Sequence, residues 1–147
     1  MTSNWISNGN GALWNPLPAM LDFKFDLIVA QFGVNEWGNA VGAATFKANL
    51  ITWVTSNLSN GSEIILMTGY PSAVSVATYA ACKAYIDAMY EVATTYNLMI
   101  IDVWRKVGSQ DGASLYSLYF DSKHPRNPLY QNTMEAVANV VRSLAIL

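Results

Sequence analysis

Three short apolar runs constrain this chain more than anything else in it: FDLIVAQFG (25–33), EIILMTG (63–69) and LMIIDVW (98–104). None alternates cleanly between polar and apolar residues, and each is bounded by turn formers or polar residues. Each therefore reads as a strand buried on both faces, the mark of a parallel sheet. The segments between them carry helical spacing instead. In TFKANLITWVTSNL, the residues Phe46, Leu50, Trp53, Val54 and Leu58 recur at three- and four-residue steps, and Gly61 lies just past the end as a stop. VATYAACKAYIDAMYEVATTY is an Ala-rich helix, and PLYQNTMEAVANVVRSLAIL makes a closing one. NPLPAMLDF opens a short helix, with Asn15 as cap and Pro16 at the first position. Strand, helix, strand, helix, strand, loop, helix is the order of an α/β fold with right-handed crossovers. At 147 residues the chain is the size of one such domain, spanning 1–147.

Composition narrows the function. The chain is 52% hydrophobic and only 12% charged, enough for a well-filled core. Its net charge of −2 leaves no basic stripe to track a phosphate backbone, which excludes nucleic acid as a partner. The single cysteine, Cys82, sits among Ala80, Ala81 and Ala84 and reads as a small buried helix residue, with no intramolecular disulfide. No apolar run approaches the roughly 20 residues that span a bilayer. The opening MTSNWISNGNG has neither the basic start nor the apolar centre of a signal peptide, so the compartment stays open. Asn57-Leu58-Ser59 and Asn60-Gly61-Ser62 fit the glycosylation pattern, but nothing else in the sequence indicates secretion.

The first strand raises a problem of its own. With three strands in sequence order, it would be an edge. Yet Asp26–Phe32 carries no Lys, no Pro and no inward charge, the devices that usually protect an edge. No other segment makes a convincing neighbour; SNWIS is short and polar. The chain reads as an α/β domain whose first strands are missing, or one that receives a strand from elsewhere. Self-association or pairing with an N-terminal partner segment through the Asp26–Phe32 edge is expected.

Ligands of parallel sheets bind beyond the carboxyl ends of the strands. The segments there are GVNEWG, TGYPS, WRK and the loop YFDSKHPRN, which holds the only histidine. Asn35 follows the first strand directly and can aim an amide into the crevice. Asp121 precedes His124 by three residues. A carboxylate that accepts the Nδ1 proton fixes the imidazole tautomer and leaves Nε2 to take a proton from a hydroxyl.

Taken in order, FGVNE, EIILMTGYPS, ATTYNLMIIDVW and DSKHP resemble the blocks of the SGNH (GDSL-type) hydrolases, a family of serine esterases. The last block matches fully. In the first, Glu36 stands where the family has Asp, and Leu129 replaces a common Gly after HPRNP. The resemblance runs from about Phe25 to the end. It implies a three-layer α/β/α fold with a flavodoxin-like parallel sheet, and the catalytic pair His124 and Asp121. It also implies an oxyanion hole built from Asn35 and a backbone N–H of Gly9 or Gly11 in SNGNGALW. It implies no metal and no organic cofactor. The substrate is then an ester: an acetylated glycan, a lipid ester or an acyl thioester. Trp37, Tyr70 and Trp104 lie near the expected site as candidates to line it.

The family's nucleophile block is a strand leading into Gly-Asp-Ser, and that tripeptide does not occur in this sequence; nor does Gly-x-Ser-x-Gly. The strand without a neighbour and the absent serine point to the same gap. The expectation is an esterase domain inactive by itself. The rival is a non-catalytic glycan-binding or structural module that keeps the hydrolase fold.

Overall fold

The computed structural model describes residues 16–38, 40–70, 76–107, 119 and 125–144. In chain order these form helix α1 (Pro16–Phe23), strand β1 (Leu27–Gln31), a short helix α2 (Val34–Gly38), helix α3 (Ala43–Ser59), strand β2 (Glu63–Met67), helix α4 (Val76–Thr95), strand β3 (Met99–Ile101), a short helix α5 (Val103–Val107) and helix α6 (Asn127–Leu144).

The strands form one parallel sheet in the order β1-β2-β3. Leu27 to Gln31 pair with Glu63 to Met67, and Ile65 to Met67 with Met99 to Ile101. The α/β reading of the sequence holds.

Both faces of the sheet are covered, as its unbroken apolar runs demand. On one face Ile28, Ala30, Phe32, Ile64 and Leu66 pack with Phe46, Leu50, Trp53 and Val54 of α3 and with Tyr85, Met89 and Val92 of α4. On the other, Ile65, Met67 and Ile101 pack with Leu129, and half-buried Leu27 and Val29 of β1 and Val137, Val140 and Leu144 of α6 pack against this cluster. This is a three-layer arrangement, helix on sheet on helix.

The chain turns at the expected places. Gly33 (φ +109°) ends β1, and Gly61 (φ +92°) follows α3, in the left-handed region where a side chain is strained. Asn60 caps α3, and its amide donates to the Leu21 carbonyl at 2.7 Å, tying α1 to α3. Asn57 is fully buried and donates to the Trp53 carbonyl at 2.8 Å, so its glycosylation pattern lies in the core. Cys82 is buried beside Ile86 and Trp104, as its neighbours suggested.

Two boundaries differ from the sequence reading. The polar stretch after β1, given no element from the sequence, is the helical turn α2. The third apolar run is strand only to Ile101, because Asp102 caps a new helix there: its Oδ1 accepts the Arg105 N–H at 2.9 Å.

Candidate active site at the carboxyl edge of the sheet

The carboxyl end of β1 is built by one local device. Gly33 is the cap residue of α2: its carbonyl accepts the Trp37 N–H at 3.0 Å. Its own N–H donates at 2.9 Å to Oε2 of Glu36, three residues on. This is the back-reaching half of a capping box, and it needs an acidic or amide side chain at the third helical position. Glu36 is 1% exposed, so this closure is buried. Asn35 lies between the two ends of the clamp. It is exposed, and with Gln31, Phe32 and Gly33 it lines a small hollow of about 60 Å³.

The ends of the three strands are tied together at Thr68, which is fully buried. Its carbonyl accepts from the Gln31 side chain of β1 at 3.1 Å. Its N–H donates to the Ile101 carbonyl of β3 at 3.1 Å. Its hydroxyl accepts the Trp104 N–H of α5 at 2.8 Å. One residue thus fixes how the segments after β1, β2 and β3 sit relative to one another. Beside it, Asp102 accepts the Tyr90 hydroxyl at 2.8 Å, and Arg105 lies over the Tyr90 ring at 5.4 Å. Burial, then this carboxylate, pushes the Tyr90 phenol up to about 12.

The ends of the histidine loop are anchored near the same edge. Tyr119 and Pro125 form an antiparallel bridge, and the Arg126 side chain donates to the Tyr119 carbonyl at 2.8 Å. Tyr119 is fully buried with Tyr70, Met67, Ile101, Val103 and Leu129. Burial raises the pKa of its phenol. Asp121 and His124 fall between the two bridged residues in sequence and lie outside the described residues, as do Gly9 and Gly11.

Of the aromatic candidates, Trp37 is half-buried against the core. Tyr70 is 7% exposed and meets Tyr130 edge-on at 6.1 Å, and Trp104 is 5% exposed against Cys82 and Ile86. Sequence reasoning missed Gln31, Thr68 and the clamp role of Glu36. Only the last left a local signal, an acidic residue three positions after a glycine.

No family model matches the chain, and no curated protein does. Its fold, however, is shared with solved structures. A lipase/acylhydrolase from Enterococcus faecalis superposes with a TM-score of 0.74 at 21% identity, over 97% of this chain and 71% of its own. A protein of the G-D-S-L family from Desulfitobacterium hafniense gives 0.72 at 17% identity, over 95% and 75%. A catalytic mutant of an acetylxylan esterase from Geobacillus stearothermophilus gives 0.71 at 13% identity, over 95% and 66%. The chain therefore has the SGNH-hydrolase fold, the fold of the GDSL-type acylhydrolases and esterases, and spans about two thirds to three quarters of these proteins. Among the described residues no helix is long and apolar enough to cross a membrane.

Proposed function

We propose that residues 1–147 form one domain carrying the base, its orienting carboxylate and the oxyanion donors of a serine-type ester hydrolase. His124 Nε2 takes the proton of a serine hydroxyl as its oxygen bonds to the ester carbonyl carbon. The carbonyl electrons move onto oxygen, and that oxyanion is held by the Asn35 amide with a backbone N–H of Gly9 or Gly11. Collapse expels the alcohol, which takes the proton back from His124, and water then releases the acyl group by the same route. Asp121 orients the imidazole. The serine comes from a Gly-Asp-Ser segment that the sequence itself does not contain.

One observation carries the reading: Asn35 is exposed beside a hollow at the carboxyl end of β1, held by a buried clamp, on a sheet with the SGNH-hydrolase fold. A lipase/acylhydrolase and an acetylxylan esterase share this fold, which supports acyl or acetyl esters as the substrate class. The rival, a glycan-binding module, calls for open ring faces. Tyr70 and Trp104 are buried, which favours the hydrolase reading.

Hydrolysis of 4-nitrophenyl acetate tests it. The chain alone is expected to turn over far more slowly than the roughly 10 per second of an ordinary enzyme. Its residual rate should fall in both His124→Ala and Asn35→Ala. A residual rate indifferent to both substitutions, or full turnover abolished by changing one serine of this chain, would refute the assignment.

A further inference from the structure

Two side-chain carboxamides, those of Gln31 and Asn35, belong to residues that line one hollow at the carboxyl end of β1. Both residues are exposed. Gln31 spends one Nε2 hydrogen on the Thr68 carbonyl at 3.1 Å. Thr68 is fully buried and is itself bonded to Ile101 and Trp104, so it is a fixed anchor for that carboxamide.

A primary carboxamide carries two N–H donors and one acceptor oxygen. After the bond to Thr68, Gln31 keeps one Nε2–H and its Oε1 open among the described residues. A donor and an acceptor side by side are the complement of a hydroxyl, which both donates and accepts. No charged residue lines the hollow. Glu36, the acid next to Asn35 in sequence, is turned to the Gly33 N–H and is 1% exposed. The polar groups that line the hollow are therefore neutral.

Size limits what enters. The hollow's volume of about 60 Å³ matches two water molecules at roughly 30 Å³ each. It admits two oxygen atoms and excludes a sugar ring or an acyl chain. At Asn35 the oxygen is that of the ester carbonyl. At Gln31 it is a hydroxyl on the carbon next to the one that bears the ester oxygen. A plain alkyl chain at that place would displace water from the Gln31 carboxamide and return no hydrogen bond.

Resting on the ester-hydrolase reading of Asn35, we propose that Gln31 is a specificity-determining residue of the same site and selects the monoester of a vicinal diol. Its Oε1 accepts the O–H of the free hydroxyl beside the ester. The bond from Nε2 to Thr68 holds that oxygen in place. The substrate is then a partly acylated sugar or glycerol, and a simple alkyl ester binds more weakly.

Three acetyl esters test it on the full chain: propyl acetate, 1-acetylglycerol and methyl 2-O-acetyl-glucopyranoside. The readout is the side-chain amide resonances of Asn35 and Gln31, assigned by their loss in Asn35→Ala and Gln31→Leu. All three esters are expected to move the Asn35 pair. Only the two hydroxylated esters should move the Gln31 pair. The better of them should bind roughly fivefold more tightly than propyl acetate, the worth of one net hydrogen bond. Which of the two binds more tightly tells a glycan from a glyceride. Gln31→Leu should keep the Asn35 response and lose the preference for hydroxyls. A Gln31 that only ties β1 to β2 predicts lower stability in that variant with no change in preference. Equal binding of all three esters by the parent, with the Asn35 pair responding, overturns the role of Gln31 and leaves the hydrolase reading standing. A Gln31 pair unmoved by both hydroxylated esters does the same, and needs no variant to fold. A preference that survives in Gln31→Leu also overturns it. An Asn35 pair that none of the esters moves overturns the hydrolase reading itself, and this inference with it.

Discussion

Replacing Glu36 by Ala should cost this protein a large part of its stability, and the structure sets the scale. The Glu36 carboxylate accepts the Gly33 N–H at 2.9 Å from a position 1% exposed. Truncation removes that acceptor from a buried N–H, a loss of about 1–3 kcal/mol. It also removes the packing of the buried side-chain methylene, worth about 0.8 kcal/mol per CH₂. The desolvation of the acid works the other way, since a buried carboxylate is itself costly. The sum remains a destabilisation of roughly 2–4 kcal/mol, against a total of about 5–15 kcal/mol for a domain. At about 2–4 °C per kcal/mol in a chain of this size, the melting midpoint should drop by roughly 5–15 °C. Glu36→Gln keeps an oxygen acceptor at the same reach and should retain most of that stability. Urea unfolding, followed by tryptophan fluorescence, measures both variants. A Glu36→Ala protein within about 0.5 kcal/mol of the parent, the range of ordinary surface changes, would refute the clamp. Equal losses in Ala and Gln would refute the hydrogen bond as its basis.

Two further outcomes concern Tyr90 and the proposed dyad. The Tyr90 phenol, raised from an ordinary 10.0 to about 12, favours the folded state below about pH 10 and loses that contribution as pH rises toward about 12. Tyrosinate absorbance should lose its step near pH 12 in Tyr90→Phe, and an unchanged titration curve would refute the Asp102 pairing. For the proposed dyad, Asp121→Asn should lower the residual 4-nitrophenyl acetate hydrolysis in the same direction as His124→Ala. A residual rate indifferent to Asp121→Asn would break the dyad.

The sheet was legible because helices cover both of its faces, so FDLIVAQFG, EIILMTG and LMIIDVW are apolar on both sides and do not alternate. The long helices were legible for the opposite reason: α3 buries one side only, and Phe46, Leu50, Trp53 and Val54 mark it. The short helices were not. Val34–Gly38 looks polar, and its helical turn is held by a buried clamp from Glu36 that composition does not announce. Val103 and Trp104 continue an apolar run, so β3 looked longer than it is; the cap at Asp102 was the overlooked local sign. Thr68 was illegible in principle, since its three partners lie 33 to 37 positions away in the chain. At the site, Asn35 could be placed from its position after a strand. The roles of His124, Asp121, Gly9 and Gly11 rested on the resemblance, because a lone Asp-x-x-His or an Asn- and Gly-rich loop carries little physical constraint of its own.

The separation of the Asn35 amide nitrogen from the His124 imidazole tests the central claim most directly, because one carbonyl must reach both. A crystal structure of the chain would measure it. The account predicts that the two face one crevice at the carboxyl edge, within roughly 10 Å. A larger separation, or an imidazole on the opposite side of β2 from Asn35, would contradict it.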